Sequence, residues 1–225
     1  MSHLLHGLHG RTGVVFFGGT ALNRSFVRGR RLSEDIDIYR TVDALVTAED
    51  VIEWLGSATQ RDFPDLRFDA HGPSGDVLNF TAQADDLSVR VQVVGSRHEH
   101  SFLPVAPHAI EMRYSDLPES AEILVPTIDS FTAMKLSAYE ERFVARDLFD
   151  LGSLSDVGAI RPEALRVLRD FRGTGPTQWA YADATCPSDE IWMIELNHQT
   201  DDPGDARTTL DRVRASVSAA AGWPA

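Results

Sequence analysis

The sequence predicts an α/β chain of the α+β kind, with a mixed sheet and flanking helices in the first half and a mostly helical second half. Three observations carry this. Val14-Val15-Phe16-Phe17 is a short apolar run closed by Gly18-Gly19, the pattern of a buried strand ending in a turn. Leu87 to Val94 alternates apolar and polar residues, as a strand with one covered face does. Pro126 and Pro162 each open a helical stretch, and in the second Leu165, Leu168 and Phe171 fall on one side.

The elements follow in order. A helix is expected from Thr20 to about Val27, then a strand from Leu32 to Tyr39. Asp43 or Thr47 caps a helix through Val51, Trp54 and Leu55. Leu66 to Phe68 and Val77 to Phe80 read as strands around a Gly72-Pro73-Ser74-Gly75 turn, with a hairpin at Asp85-Asp86 before Leu87 to Val94. His98, His100, Pro104 and Pro107 mark a loop, followed by short strands near Ile110–Tyr114 and Ile123–Val125. The helix after Pro126 has Asp129 in its first turn. The helix after Pro162 ends near Gly173, and Pro203-Gly204 precedes a last one through Leu210, Val213 and Val217. Residues 1–125 and 126–225 are the expected domains, with the active site between them.

The chemistry concentrates in two stretches. In the first, Gly18-Gly19-Thr20 precedes a strand-like Leu32-Ser33-Glu34-Asp35-Ile36-Asp37-Ile38. Residues i and i+2 of a strand share a face, so Asp35 and Asp37 stand about 6.6 Å apart along it. Both can lean toward one divalent metal, or toward a metal pair about 3.5–4 Å apart. Glycines let backbone N–H groups approach an anion, and the helix that follows points its dipole at it. A phosphate-holding turn beside a metal-holding strand suits phosphoryl or nucleotidyl transfer. The second stretch holds Lys135, the one lysine against twenty arginines. On an unbroken helix Lys135, Arg142 and Arg146 lie within about 40° of one another, with Asp150 nearby and Asp147 about 120° away. A break near Ala145 would instead let Asp147 cap a new helix and turn inward. The sequence leaves both open.

These residues resemble the DNA polymerase β-like nucleotidyltransferase superfamily. Within it, Gly18-Gly19-Thr20-Ala21-Leu22 with Arg31-Leu32-Ser33-Glu34-Asp35-Ile36-Asp37 is similar to the AbiEii/MenT branch, the toxins of bacterial toxin–antitoxin and phage-abortive systems. Lys135-Leu136-Ser137-Ala138, Arg142 and Arg146-Asp147-Leu148-Phe149-Asp150-Leu151 resemble that branch's second signature. The resemblance implies a nucleotidyltransferase-like domain. It implies Asp35 and Asp37 as catalytic ligands of Mg²⁺ or Mn²⁺, and Gly18, Gly19, Thr20, Arg31 and Lys135 on the nucleotide. Asp147 would orient Lys135 or accept a proton, and Ser33 is a candidate for regulatory phosphorylation. The implied reaction moves a nucleoside monophosphate from an NTP to a tRNA 3′ end, blocking translation, with a cognate antitoxin as partner. Two departures stand out. On Val89 to Val94, Gln92 occupies the place of a third carboxylate, and Gln is a poorer hard-metal ligand. Met134 stands where relatives often carry Glu.

Composition narrows the classes. A chain of 225 residues with 43% hydrophobic and 24% charged residues suits a globular protein. No run of eighteen apolar residues occurs, the start does not read as a secretion signal, and the single Cys186 suits a reducing cytosol. The net charge of −13 argues against a general nucleic-acid coat. Arg24, Arg28, Arg30, Arg31 and Arg40 gather around the first motif, either as a solvated loop or as an electropositive mouth. The eight histidines show no zinc spacing, and no P-loop is present. Plainer readings stand beside each motif. Asp-x-Asp can be a solvent-facing strand edge, Ser33 a strand-start serine, and Asp147 and Asp150 surface partners of Arg142 or Arg146. Two other functions fit as well: a degenerate nucleotide- or partner-binding module without turnover, kept open by Gln92, and a nucleotidyltransferase acting on a small molecule of the antibiotic type.

Overall fold

The computed structural model describes residues 1–42, 45–74, 76–85, 87–96, 103–111 and 120–223. Asp43, Gly75, Asp86, His98, His100 and positions 112–114, named above, lie outside the described residues. The chain divides into two compact units. A sheet unit comprises Met1–Arg28 and Ser33–Pro126, and a helical unit comprises Gly29–Leu32 and Thr127–Ala225.

The sheet unit contains α1 (Ser2–His6), β1 (Val14–Phe17), α2 (Gly18–Ser25), β2 (Ile36–Arg40), α3 (Ala48–Thr59) and β3 (Arg67–Ser74). It continues with β4 (Val77–Ala84), β5 (Leu87–Val94), β6 (Val105–Ile110) and β7 (Ala121–Pro126). The five-stranded sheet has the order β1-β2-β5-β4-β3. β2 and β5 run parallel, and the other pairs are antiparallel, so the sheet is mixed. Alternation sorts the strands into two faces. Ile36, Ile38, Val91, Val93 and Ala82 are buried on one face, where Gly56 of α3 packs close to Phe68. Asp37, Gln92, Asn79 and His71 form one lateral row on the other face. Thr47 and Asp50 make a reciprocal capping box at the start of α3. At Gly7 of α1 any Cβ would strike the Trp54 backbone, so the α1–α3 approach needs glycine.

Several boundaries differ from the sequence reading for local reasons. α2 begins at Gly18, directly after β1. β2 starts only at Ile36, which leaves Leu32 to Asp35 outside the strand. The expected turn at 72–75 is replaced by β3 continuing to Ser74, through an irregularity between His71 and Ser74. Pro107 lies within β6 rather than in a loop. β6 and β7 form a separate two-stranded sheet, where a missing N–H is tolerated at an edge.

The helical unit contains α4 (Ile128–Arg142), α5 (Ala145–Asp156), α6 (Pro162–Arg172), α7 (Asp189–Leu196) and α8 (Ala206–Ala221). Thr127, Ser188 and Asp205 cap α4, α7 and α8 with side-chain oxygens. Gly173 ends α6 in the left-handed conformation. Phe131, Tyr139, Leu151, Leu165, Trp192 and Leu210 are among its buried core residues. Among the described residues, no helix is long and apolar enough to cross a membrane.

Candidate active site

The first motif lies in the sheet unit. β1 delivers the chain into Gly18, whose φ of +78° favours glycine. A Cβ there would collide with the Asp37 carboxylate. The turn therefore rests directly against the acid predicted to hold metal, 19 positions later. α2 starts at this turn without a side-chain cap and without an acidic residue in its first turn. Its leading N–H groups and its dipole favour an anion. Thr20 is 1% exposed, and its Oγ1 has no hydrogen-bond partner in the structure. An unpaired buried hydroxyl is costly unless a ligand completes it.

Asp35 precedes β2 and Asp37 lies within it. Arg90 Nε donates to Asp35 Oδ1 at 3.1 Å, and Arg90 Nη2 donates to Oδ2 at 2.6 Å. Both side chains are substantially exposed, Arg90 at 60% and Asp35 at 38%. Gln92 pairs in register with Asp37. Its Nε2 donates to Asn79 Oδ1 at 3.1 Å, on the side of β5 away from Asp37. Among the described residues no group of three His, Cys, Asp or Glu side chains gathers. The donors here are two carboxylates and a neutral amide. An all-oxygen set of this kind suits Mg²⁺, which keeps several waters and takes further ligands from phosphates. Ser33, two residues before Asp35, is partly exposed.

The second motif builds a different object in the helical unit. α4 stops at Arg142 because Phe143 adopts a left-handed conformation, φ 51°, and α5 restarts at Ala145. The break leaves Asp147 buried, as the second alternative had it, but Asp147 does not cap the new helix: Val144 is the N-cap of α5 and Asp147 lies in its first turn. Asp147 and Asp150 sit one turn apart on α5, each 1% exposed. Lys135 Nζ donates to Asp147 Oδ1 at 3.0 Å and lies 2.7 Å from Asp150 Oδ2. Arg31 clamps Asp150 with two bonds, Nε to Oδ1 at 2.7 Å and Nη2 to Oδ2 at 2.8 Å, while its Nη1 donates to Gln199 Oε1 at 2.8 Å. Arg142 closes the cluster on Asp147 Oδ2 at 2.7 Å. Arg146 does not join it; its Nε lies 3.9 Å from Glu195.

Burial raises the pKa of Asp150, but Lys135 and Arg31 outweigh it and hold the carboxyl far below its usual range. The balance has the same sign at Asp147, where burial is overcome by Lys135 and Arg142. Burial lowers the Lys135 pKa, yet Asp150 and Asp147 raise it above its ordinary value. Lys135 is thus a fixed cation, and both Asp147 oxygens accept from cations, which is poor geometry for a base.

The remaining arginines of the first motif have separate partners. Arg24 is buried and donates to Ser2 and the Glu111 carbonyl. Arg28 donates to the Ala109 carbonyl, Arg40 donates to the Val46 carbonyl and Arg30 pairs with Asp156. Sequence reasoning missed Arg90, whose only signal is its place two residues before Gln92 on the same strand face. It also missed the link from Arg31 to Asp150 across 119 positions, which no local pattern encodes.

Comparison with known proteins places the fold and the family. Over its whole length the chain superposes on the nucleotidyltransferase toxin MenT4 from Mycobacterium tuberculosis H37Rv, with a TM-score of 0.63, 20% identity and 82% of that chain covered. It also superposes on an H. pylori protein assigned as a nucleotidyltransferase, with a TM-score of 0.56 and 18% identity, covering 96% of this chain and 89% of that one. At these identities the likeness establishes the fold. A comparison with curated protein sequences finds no match. The family model for the nucleotidyl transferase AbiEii toxin of type IV toxin–antitoxin systems matches residues 5–218. The chain that places Gly18 against Asp37 and Lys135 between Asp147 and Asp150 therefore belongs to the AbiEii nucleotidyltransferase toxin family.

Proposed function

We propose that this protein transfers a nucleoside monophosphate from an NTP to an RNA hydroxyl, with the tRNA 3′ end as acceptor, and so stops translation. The observation that carries the reading is the packing of the Gly18 turn on the Asp37 carboxylate, beside a helix start that lacks a cap. The Gly18, Gly19 and Thr20 N–H groups and the Thr20 hydroxyl would bind phosphate oxygens. Asp35 and Asp37 would hold Mg²⁺ or Mn²⁺, which when bound supplies neutralisation of charge on the departing pyrophosphate.

In the reaction, the acceptor oxygen bonds to the α-phosphorus as the α–β bridging P–O bond breaks. Pyrophosphate leaves and the hydroxyl proton passes to water. Lys135 acts as a permanent cation for phosphate charge, oriented by Asp147. Arg31, committed to Asp150 and Gln199, serves the site by fixing Asp150 rather than by reaching for a phosphate. The family implies an antitoxin partner. Phosphorylation of Ser33 would add about −1.5 to −2 charge beside Asp35 and Asp37 and repel triphosphate. The net charge of −13 suits an acceptor gripped at a small contact rather than along its length.

A second reading, nucleotide binding without turnover, is favoured by Gln92, because a neutral amide stands beside Asp37. Incubation with Mg²⁺, total tRNA and each labelled NTP, alongside Asp37→Ala and Lys135→Ala, separates the two. Label on tRNA that disappears in both variants supports transfer. Mg²⁺-dependent nucleotide binding with no labelled RNA sinks it in favour of the binding module.

A further inference from the structure

Arg90 has no part in the reaction described above, yet it pairs with Asp35, one of the two carboxylates proposed to hold the metal. Its guanidinium covers both oxygens of Asp35, at 3.1 and 2.6 Å. A metal at Asp35 needs one of those oxygens. Asp35 and Asp37, two residues apart, would repel each other where one metal site draws both together, and Arg90 offsets the charge of Asp35. The fork geometry is well matched to a carboxylate, but the pair is open to water, with Arg90 60% exposed. Exposed pairs exchange easily because little is gained by forming them.

From this we infer that Arg90 is a built-in counter-ion of the metal site. It caps Asp35 in the empty protein and must swing away when a divalent cation binds, so it weakens the site for metal alone. A triphosphate arriving with the metal offers the released guanidinium a new anionic partner, and binding of metal and nucleotide becomes coupled. Gln92 acts in the same direction, since a neutral amide beside Asp37 draws metal less than a third carboxylate would. The inference rests on the reading of Asp35 and Asp37 as metal ligands.

Mn²⁺ titration of the full chain, followed by the loss of the free-ion electron paramagnetic resonance signal, tests it without any activity measurement. The proteins are wild type, Arg90→Gln and Asp37→Asn, each with and without a non-hydrolysable NTP analogue. Arg90→Gln is expected to bind Mn²⁺ alone about two- to fivefold more tightly than wild type, the range an exposed ion pair supports. The tightening should shrink or reverse once the analogue is present. Equal or weaker Mn²⁺ binding by Arg90→Gln, with Asp37→Asn still abolishing binding, overturns the role of Arg90 and leaves the metal site standing. Retention of Mn²⁺ by Asp37→Asn overturns the metal assignment itself, and the inference with it.

Discussion

The two signature stretches of this chain both place acids next to cations, but under opposite physical conditions. In the helical unit Asp147 and Asp150 are 1% exposed, and Lys135, Arg31 and Arg142 occupy their oxygens. In the sheet unit Asp35 and Arg90 form a well-aligned pair in open water. The difference separates two jobs. A buried, filled network holds a charge in one position, because any change strands an ion in low dielectric. An exposed pair can trade one cation for another at little cost. The first condition suits the fixed cation Lys135, and the second would suit carboxylates proposed to accept a metal.

The largest effect should come from breaking the buried side. Asp150→Asn leaves Arg31 and Lys135 with an amide in place of the shared anion, and is expected to cost about 3–5 kcal/mol of stability, read from urea unfolding near pH 7. The pH dependence has a definite sign. The folded pKa of Asp150 is depressed, so its contribution is present above the unfolded value of about 3.9 and lost as pH falls below it. The gap between wild type and Asp150→Asn should therefore narrow below about pH 4. A gap that is small at pH 7 would mean that the network contributes little to folding.

A smaller effect is expected at Gly18, where the backbone rather than charge makes the sheet-unit site tight. Gly18→Ala must hold alanine at φ +78°, at a cost of about 1–2 kcal/mol, and must push the Asp37 carboxylate aside. Mn²⁺ affinity should fall together with stability. Unchanged metal binding in a destabilised Gly18→Ala protein would show that the turn and the metal ligand are not coupled.

The sequence made the exposed half legible and the buried half only partly so. Val14 to Phe17 and Leu87 to Val94 were readable to the residue, because strand alternation and flanking turns are local signals. Asp35 and Asp37 stood out as an Asp-x-Asp pair, but β2 starts only at Ile36, so Asp35 precedes the strand that was expected to carry both. The break after α4 was not decidable, because a left-handed Phe143 carries no glycine to announce it. That single residue decides whether Asp147 faces inward or lies 120° off the Lys135 face. α7 was missed for another reason. Its Asp189 to Leu196 run buries Trp192 and Leu196 but leaves Ile191, Met193 and Ile194 exposed, so apolar residues surround the helix and no period stands out.

The smallest expected change is the sharpest test of the contrast. Asp35→Asn makes the same chemical substitution as Asp150→Asn, carboxylate to amide opposite an arginine fork. Here Arg90 is left in water instead of in the interior, so solvation replaces the lost partner. The expected cost to stability is about 0–1 kcal/mol, while Mn²⁺ binding with the NTP analogue should be lost or severely weakened. Thermal melts of both variants at one pH and salt concentration place them on a common scale. Equal destabilisation by the two substitutions would mean that burial does not distinguish the clusters, and that Asp35 is held by more than Arg90. A near-neutral Asp35→Asn with metal binding gone would make Asp35 a ligand whose charge serves the site and not the fold.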